Sequence, residues 1–384
     1  MSYFGFLAKQ FYKKRSNLLI IGIFLTLIFF YGLSLLNTNP KGEFVSQIDS
    51  QLEELDKQRK EGNLESDTEH SEYTTFLNQQ YDQLLNIKKD YSRGDHKKAY
   101  TEYLTILKDM KKQIGNEESR PTWWAESVEK QILYLEALSE QNIPYETPGG
   151  LSSAFGFPLK VVNNLFPILM TFVVVLLVTT IFVSPYIGTL NKDSVLPYPI
   201  ILETLQKLLL SCGVAVVVIG LTICISWITG SFVGGSSSLE LPIFKYVDQK
   251  LSVSPIKSIL PQAVLLYSVA LFSVVTITCL VATILKNSLS TVFTALIINI
   301  IQMFAIPQLP QLTKIAHLLP GVYLESGNTV TGILSENYHN SKITLQNGII
   351  VNLLITTITF FIIYLVMRLE QQHKKVKYNT VVGK

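Results

Sequence analysis

The chain has 384 residues, of which 48% are hydrophobic and only 16% charged, with a mean hydropathy of +0.31 and a net charge of +3. This balance excludes an ordinary soluble domain, and the absence of basic clusters interleaved with aromatics outside the two tails excludes nucleic acid as a partner. Cys212, Cys224 and Cys279 all lie in apolar runs, which excludes a disulfide framework, and no His/Cys group has metal-ligand spacing.

In residues 1–16, Tyr3, Phe4, Leu7 and Phe11 fall on one narrow arc of a helix, with Lys9 and Lys13 opposite. This spacing predicts a short helix lying in the cytoplasmic membrane interface. An uncharged run at 17–36 follows and predicts the first span. It is longer than a signal-peptide core and has no small-x-small cleavage site before Asn37, so an uncleaved anchor is expected.

Residues 37–160 differ in kind. From 38 to 158 there are 14 Lys and Arg against 22 Asp and Glu, a net of −8. Helical periodicity runs through Phe44, Ile48, Leu52 and Leu55, then Tyr73, Leu77, Tyr81 and Leu84. It continues through Tyr100, Tyr103, Leu104, Leu107 and Ile114, and through Trp124, Val128, Ile132, Leu135 and Leu138. Breakers at Gly62-Asn63, Gly94 and Gly115 separate these stretches, and Pro121 opens the last. Ser66 to Glu69 has capping-box spacing, and Asp95 is an expected N-cap. Each apolar stripe needs a partner, so the stretches predict an antiparallel helical bundle. Arg93-Gly94-Asp95 reads as the turn between two helices, and Trp124 is expected in the bundle core.

Further uncharged runs near 161–184, 206–229, 262–285, 288–306 and 347–367 predict five more spans. Pro307 and Pro310 close the fifth. Lys9, Lys13, Lys14 and Arg15 precede the first span, while Arg368, Lys374, Lys375, Lys377 and Lys384 follow the last, in a basic tail at 368–384. By the positive-inside rule both termini are cytoplasmic, which requires an even number of spans. The expected fold class is an all-α polytopic membrane protein: six transmembrane helices in the cell membrane, with a large extracellular helical bundle between the first and second spans. The membrane domain covers 161–367 and includes an outer hairpin at 308–346.

No Asp, Glu, Lys, Arg or His lies in the middle of any span, although ion-coupled transport requires intramembrane ionisable groups. No carboxylate or histidine pair suits hydrolysis; His317 and Glu325 are the nearest candidates, and a lone His before Leu-Leu-Pro reads as an ordinary interfacial residue. Gly327 to Gly332 has glycine spacing, but Ile333 stands where a phosphate-binding loop requires lysine. The chain is therefore expected to be no enzyme, and nucleotide-driven work must come from another chain.

Two loop passages carry a resemblance. After the second span come Gly188-Thr189, Leu196-Pro197 and then Glu203 and Lys207 leading into the third. Between the fifth and sixth spans, Leu318-Leu319-Pro320-Gly321-Val322-Tyr323 precedes a short polar stretch. With the interfacial helix and the outer insertion, the chain resembles the membrane-spanning permease subunit of a type-2 ABC exporter. Ser184-Pro185-Tyr186 stands where that family has an acidic residue ahead of Gly-Thr. The resemblance implies a permease moving a peptide, lipid or other amphipathic substrate. Two identical or related permease subunits would pair in the membrane lipids. Two ATPase subunits, carrying ATP and Mg that this chain lacks, would dock on segments including 188–203 and the N-terminal helix. Lys192, Asp193, Pro197, Tyr198 and Glu203 are then coupling residues. The alternative reading is a membrane-anchored receptor or scaffold whose extracellular bundle binds a surface partner.

Overall fold

Long apolar runs with no charge to interrupt them satisfy their backbone internally as helices, and helices dominate the fold. The computed structural model describes residues 3–38, 43–62, 68–114, 122–163, 166–184, 186–187, 190–191, 199–235, 238–247 and 250–382. The chain divides into two units. One comprises Met1–Tyr31, Pro158–Ile228 and Leu260–Lys384, the other Gly32–Phe157 and Thr229–Ile259.

The first unit holds the apolar helices, apart from residues 32–34, 229–233 and 256–259 at their ends, which belong to the second. These helices are α2 (Arg15–Ser34), α8 (Phe166–Val183), α9 (Ile200–Val233), α10 (Ile256–Leu285), α11 (Ser288–Gln308) and α15 (Leu345–Val382), with α1 (Tyr3–Lys13) ahead of them. Helices α2, α9, α10, α11 and α15 are each long and apolar enough to cross a membrane. The run read as one span at 161–184 is instead two helices, α7 (Gly156–Asn163) and α8, whose axes differ by 69°; counted as one span they make six. Pro167 explains why α8 starts afresh. It supplies no N–H and is tolerated only in a helix's first turn, where that donor has no intrahelical partner.

Packing sorts these helices. Val174, Val175, Leu177 and Val178 of α8 are buried, as are Ala263, Leu266, Ala270 and Val275 of α10. The others keep one apolar face outward: Leu289, Phe293, Ile297 and Phe304 on α11, or Leu18, Ile23 and Phe30 on α2. Such faces suit hydrocarbon surroundings. On α11 the buried residues Thr291, Ala295, Asn299 and Met303 recur every fourth position, and the helix packs on α8 and on the turn at Pro320–Leu324. The hydroxyls inside the apolar helices are satisfied locally. Thr222, Ser226, Thr278 and Thr283 each donate to the carbonyl four residues back, at 2.7–2.8 Å. Polar links also join helices: Ser273 Oγ donates to Asn352 Oδ1 at 2.8 Å, Asn352 Nδ2 donates to the Gly348 carbonyl at 2.8 Å, and the Tyr267 hydroxyl donates to the Pro167 carbonyl at 3.2 Å. Between α11 and α15 the chain makes short turns, including α12 (Pro310–Thr313), α13 (Ser326–Val330) and α14 (Ile333–Asn337), with 3-10 turns at Ala316–Leu318 and Pro320–Leu324.

The second unit is built on α3 (Glu43–Gly62), α4 (Thr68–Ser92), α5 (His96–Ile114) and α6 (Thr122–Gln141), each packed on the next. Their order is antiparallel. Phe44 stacks near Tyr91, Lys88 bonds Asp49 at 2.5 Å, and Arg59 lies over the Tyr81 ring at 4.7 Å. In the same sense Lys108 pairs with Glu136 at 2.7 Å and Lys111 with Glu129 at 3.2 Å. Gly94, at φ +87°, makes the α4–α5 turn, and Asp95 caps α5 by accepting the Lys98 N–H at 3.3 Å. The Arg93-Gly94-Asp95 tripeptide is thus a helix–helix turn. Ser66 and the side chains of Tyr73 and Ile114 lie outside the described residues.

The bundle centre is aromatic. Phe44 sits 4.8–5.5 Å from the rings of Tyr91, Tyr100, Tyr103 and Tyr145, and Tyr100 donates to the Ile143 carbonyl at 3.0 Å. Trp124, expected in this core, is only half buried: it shares the stripe of Val128, Leu135 and Leu138 but sits in the first turn of α6. A β-hairpin joins the bundle: β3 (Pro242–Val247) pairs antiparallel with β4 (Lys250–Pro255), and Phe244 meets Tyr134 of α6 at 5.6 Å. Nothing in the expected all-α plan anticipated these strands.

Candidate functional site

A group of polar side chains of the first unit lies where α1, α2 and α8 meet. Helix α1 buries Leu7 and Phe11 and leaves Phe4, Phe6 and Tyr12 exposed. The chain turns at Lys14, whose N–H donates to the Phe11 carbonyl at 3.3 Å, while its own carbonyl accepts the Asn17 N–H at 3.0 Å. Asn17, 1% exposed, fixes this turn. Its Nδ2 donates to the Phe11 carbonyl at 3.1 Å and its Oδ1 accepts the Thr180 hydroxyl at 3.2 Å. One amide therefore caps the end of α1 and ties the start of α2 to the end of α8. Beside it lies a pocket of about 350 Å³, lined by Gln10, Lys13, Lys14 and Ser184 against an apolar wall that includes Phe11 and Leu210.

At the start of α9, Glu203 and Lys207 form an ion pair of 2.6 Å with both side chains almost fully buried. Spacing of four places both on one face of the helix, so the pair closes within α9. Of the sequence-expected coupling residues only Glu203 can be placed. Lys192, Asp193, Pro197 and Tyr198 lie outside the described residues. Around the Gly188-Thr189 pair, β1 (Tyr186–Ile187) and β2 (Leu190–Asn191) form a two-residue antiparallel ladder.

A small apolar cavity of about 70 Å³, lined by Phe182, Leu205, Phe360 and Met367 among others, brings together the end of α8, the start of α9 and the distal part of α15. Lys286, between α10 and α11, pairs with Glu370 of α15 at 2.5 Å. Helix α1 and the Glu370 region of α15 thus lie at the same end of this unit.

The opposite end is closed by the 309–344 segment. Tyr323, fully buried, donates to the His317 carbonyl at 2.7 Å, and Gly321 donates its N–H to Gln302 Oε1 at 2.8 Å. Asn340 Nδ2 bonds the Thr313 carbonyl at 2.6 Å and approaches His317 Nδ1 at 3.3 Å. Glu325 accepts from Asn328 at 3.0 Å. His317 and Glu325 are each engaged in local turn contacts, an arrangement that organises backbone and offers no acid–base pair.

Sequence reasoning located α1, Glu203 and Lys207 but missed Asn17 and Thr180. An Asn just after a basic cluster carries no local signal, since its partner lies 163 residues away. Comparison with protein-family models, with curated proteins and with solved structures returned no match.

Proposed function

We propose that the chain is the permease subunit of an ATP-binding cassette exporter, moving a peptide, lipid or other amphipathic substrate across the cell membrane with energy from a separate ATPase subunit. The observation that carries this reading is the corner itself. An amphipathic helix folds back on the end of α8 and is fixed there by Asn17, and the segment 188–203 that resembles a coupling loop follows α8 in the chain. A nucleotide-driven partner needs such a braced surface, because force applied to a loose loop would not move the spans. The uncharged middles of the spans fit an amphipathic cargo better than ion coupling. In this reading both termini face the cytoplasm, two permease subunits pair, and Lys192, Asp193, Pro197, Tyr198 and Glu203 meet the ATPase.

The test is affinity purification of the tagged full-length protein in mild detergent with mass spectrometry of its companions. A stoichiometric ATPase bearing a phosphate-binding loop, whose capture weakens in Asp193→Ala and Tyr198→Ala, is the expected result. Recovery of the protein alone, with no ATP-dependent movement of substrate on reconstitution, would overturn it. The four-helix bundle with its added β-hairpin favours a second reading, a membrane-anchored receptor or scaffold. That reading gains if an extracellular partner is captured and no ATPase.

A further inference from the structure

The pocket between α1, α2 and α8 has chemistry that the coupling role does not use. Its polar side presents Lys13 and Lys14, both exposed, with Gln10 and Ser184. Neither ammonium is in an ion pair among the described residues, and the stretch from residue 1 to 42 contains no Asp or Glu at all. Two adjacent cations with no acid to answer them leave an uncompensated positive field at one mouth of a cavity of about 350 Å³. The other side of the cavity is apolar: Leu7, Phe11, Ile181 and Leu210.

Apolar side chains next in sequence to residues of the pocket are exposed. Leu209 is 62% exposed next to Leu210, and Leu18 and Leu19 on the first turn of α2 are 49% and 61% exposed. A ligand seated here meets both cations and an apolar lining. A free anion would satisfy the lysines and leave the apolar wall wet. A neutral lipid would cover the wall and leave the lysines unanswered. Asn17 and Thr180 are already bonded to each other and to backbone, so they hold the pocket's shape, and Gln10, Lys13, Lys14 and Ser184 remain to contact a headgroup.

We propose that this pocket binds the headgroup of an anionic phospholipid, its phosphate between Lys13 and Lys14 and its acyl chains along Leu209, Leu18 and Leu19. The bound lipid would hold α1 at the membrane surface from outside as Asn17 holds it from within. The proposal rests on the chain being embedded in a membrane and is independent of the permease reading.

The test is native mass spectrometry of the full-length protein released from micelles holding equal amounts of phosphatidylglycerol and phosphatidylcholine. The wild type is expected to retain phosphatidylglycerol preferentially. The double variant Lys13→Gln/Lys14→Gln should lose about thirtyfold in that preference, from roughly a fivefold contribution per lysine near an anionic surface. Lys9→Gln, which alters an exposed lysine outside the pocket, should leave it unchanged. Ser184→Trp fills the cavity without altering charge and should abolish retention even if the lysine variants fold poorly. Equal retention of the two lipids, an unaffected double variant, or a Lys9→Gln effect of the same size would each overturn the proposal. Displacement of phosphatidylglycerol by millimolar inorganic phosphate would also overturn it, assigning the site to a free anion.

Discussion

Asn17 Oδ1 accepts the Thr180 hydroxyl at 3.2 Å, joining the first turn of α2 to the last turn of α8 across 163 positions of sequence. The same side chain caps α1 through the Phe11 carbonyl. Asn17→Ala removes both bonds, yet each partner keeps another: Thr180 also donates to the Leu177 carbonyl, and the Phe11 carbonyl also accepts the Lys14 N–H. The cost should therefore stay near 1–2 kcal/mol, the lower range for losing two hydrogen bonds without orphaning their partners. Hydrogen exchange should quicken in residues 3–13 and little elsewhere. Uniform destabilisation across all helices would show that Asn17 does not act through α1.

Glu203 and Lys207 make the opposite case. Both are nearly water-free, so removing one leaves the other charged and buried. Glu203→Gln and Lys207→Met should each cost about 3–5 kcal/mol, whereas the double variant should cost much less than their sum. Thermal unfolding of the four proteins in one detergent closes this cycle. Additive losses would mean that the two side chains are held by other groups and not by each other.

Gly230 tests close packing in the second unit. A Cβ there would lie 2.4 Å from the Ser153 carbonyl oxygen and 2.9 Å from its carbon, and backbone cannot swing aside as a flexible side chain can. Gly230→Ala should cost about 1–3 kcal/mol by overpacking. Gly22 has open space within 4 Å, and Gly22→Ala should be neutral or stabilising by up to roughly 1 kcal/mol, the ordinary helix-propensity difference. Melting temperatures that fall equally in both would refute the packing argument.

The aromatic centre of the bundle predicts a pH limit. Burial raises the Tyr100, Tyr103 and Tyr134 phenols above their usual value, and burial with the nearby Glu43 carboxylate pushes Tyr145 up to about 12. A raised phenol pKa in the folded state favours folding fully below the unfolded value, near 10, and that contribution drains away as pH climbs toward the folded value. Of the 18 tyrosines, these four should ionise only above the ordinary phenol range, and as helix is lost. Ultraviolet titration followed beside circular dichroism reads both. Complete ionisation near pH 10 with helicity intact would contradict the buried cluster.

The sequence by itself determined the elements whose causes are local. Runs free of charge produced the apolar helices. The i, i+3, i+4 stripes of Phe44–Ile48, Leu77–Leu84 and Val128–Leu138 produced the bundle helices, and Gly94-Asp95 produced a turn because only that pairing supplies both a positive φ and a cap. The α1 stripe marked a helix with one apolar face, and of that face the structure buries Leu7 and Phe11 while Phe4 stays exposed. Tertiary structure alone decided what depends on residues far apart. No periodicity announces that Asn17 will meet Thr180, or that Phe244 of the β3–β4 pair will pack on Tyr134 of the bundle. The split of 161–184 lies between these cases. Pro167 is visible in the sequence, yet a proline near the start of a helix is compatible with a straight span or a sharp bend. Which of the two forms is set by the neighbours of α7 and α8, whose positions no local rule contains.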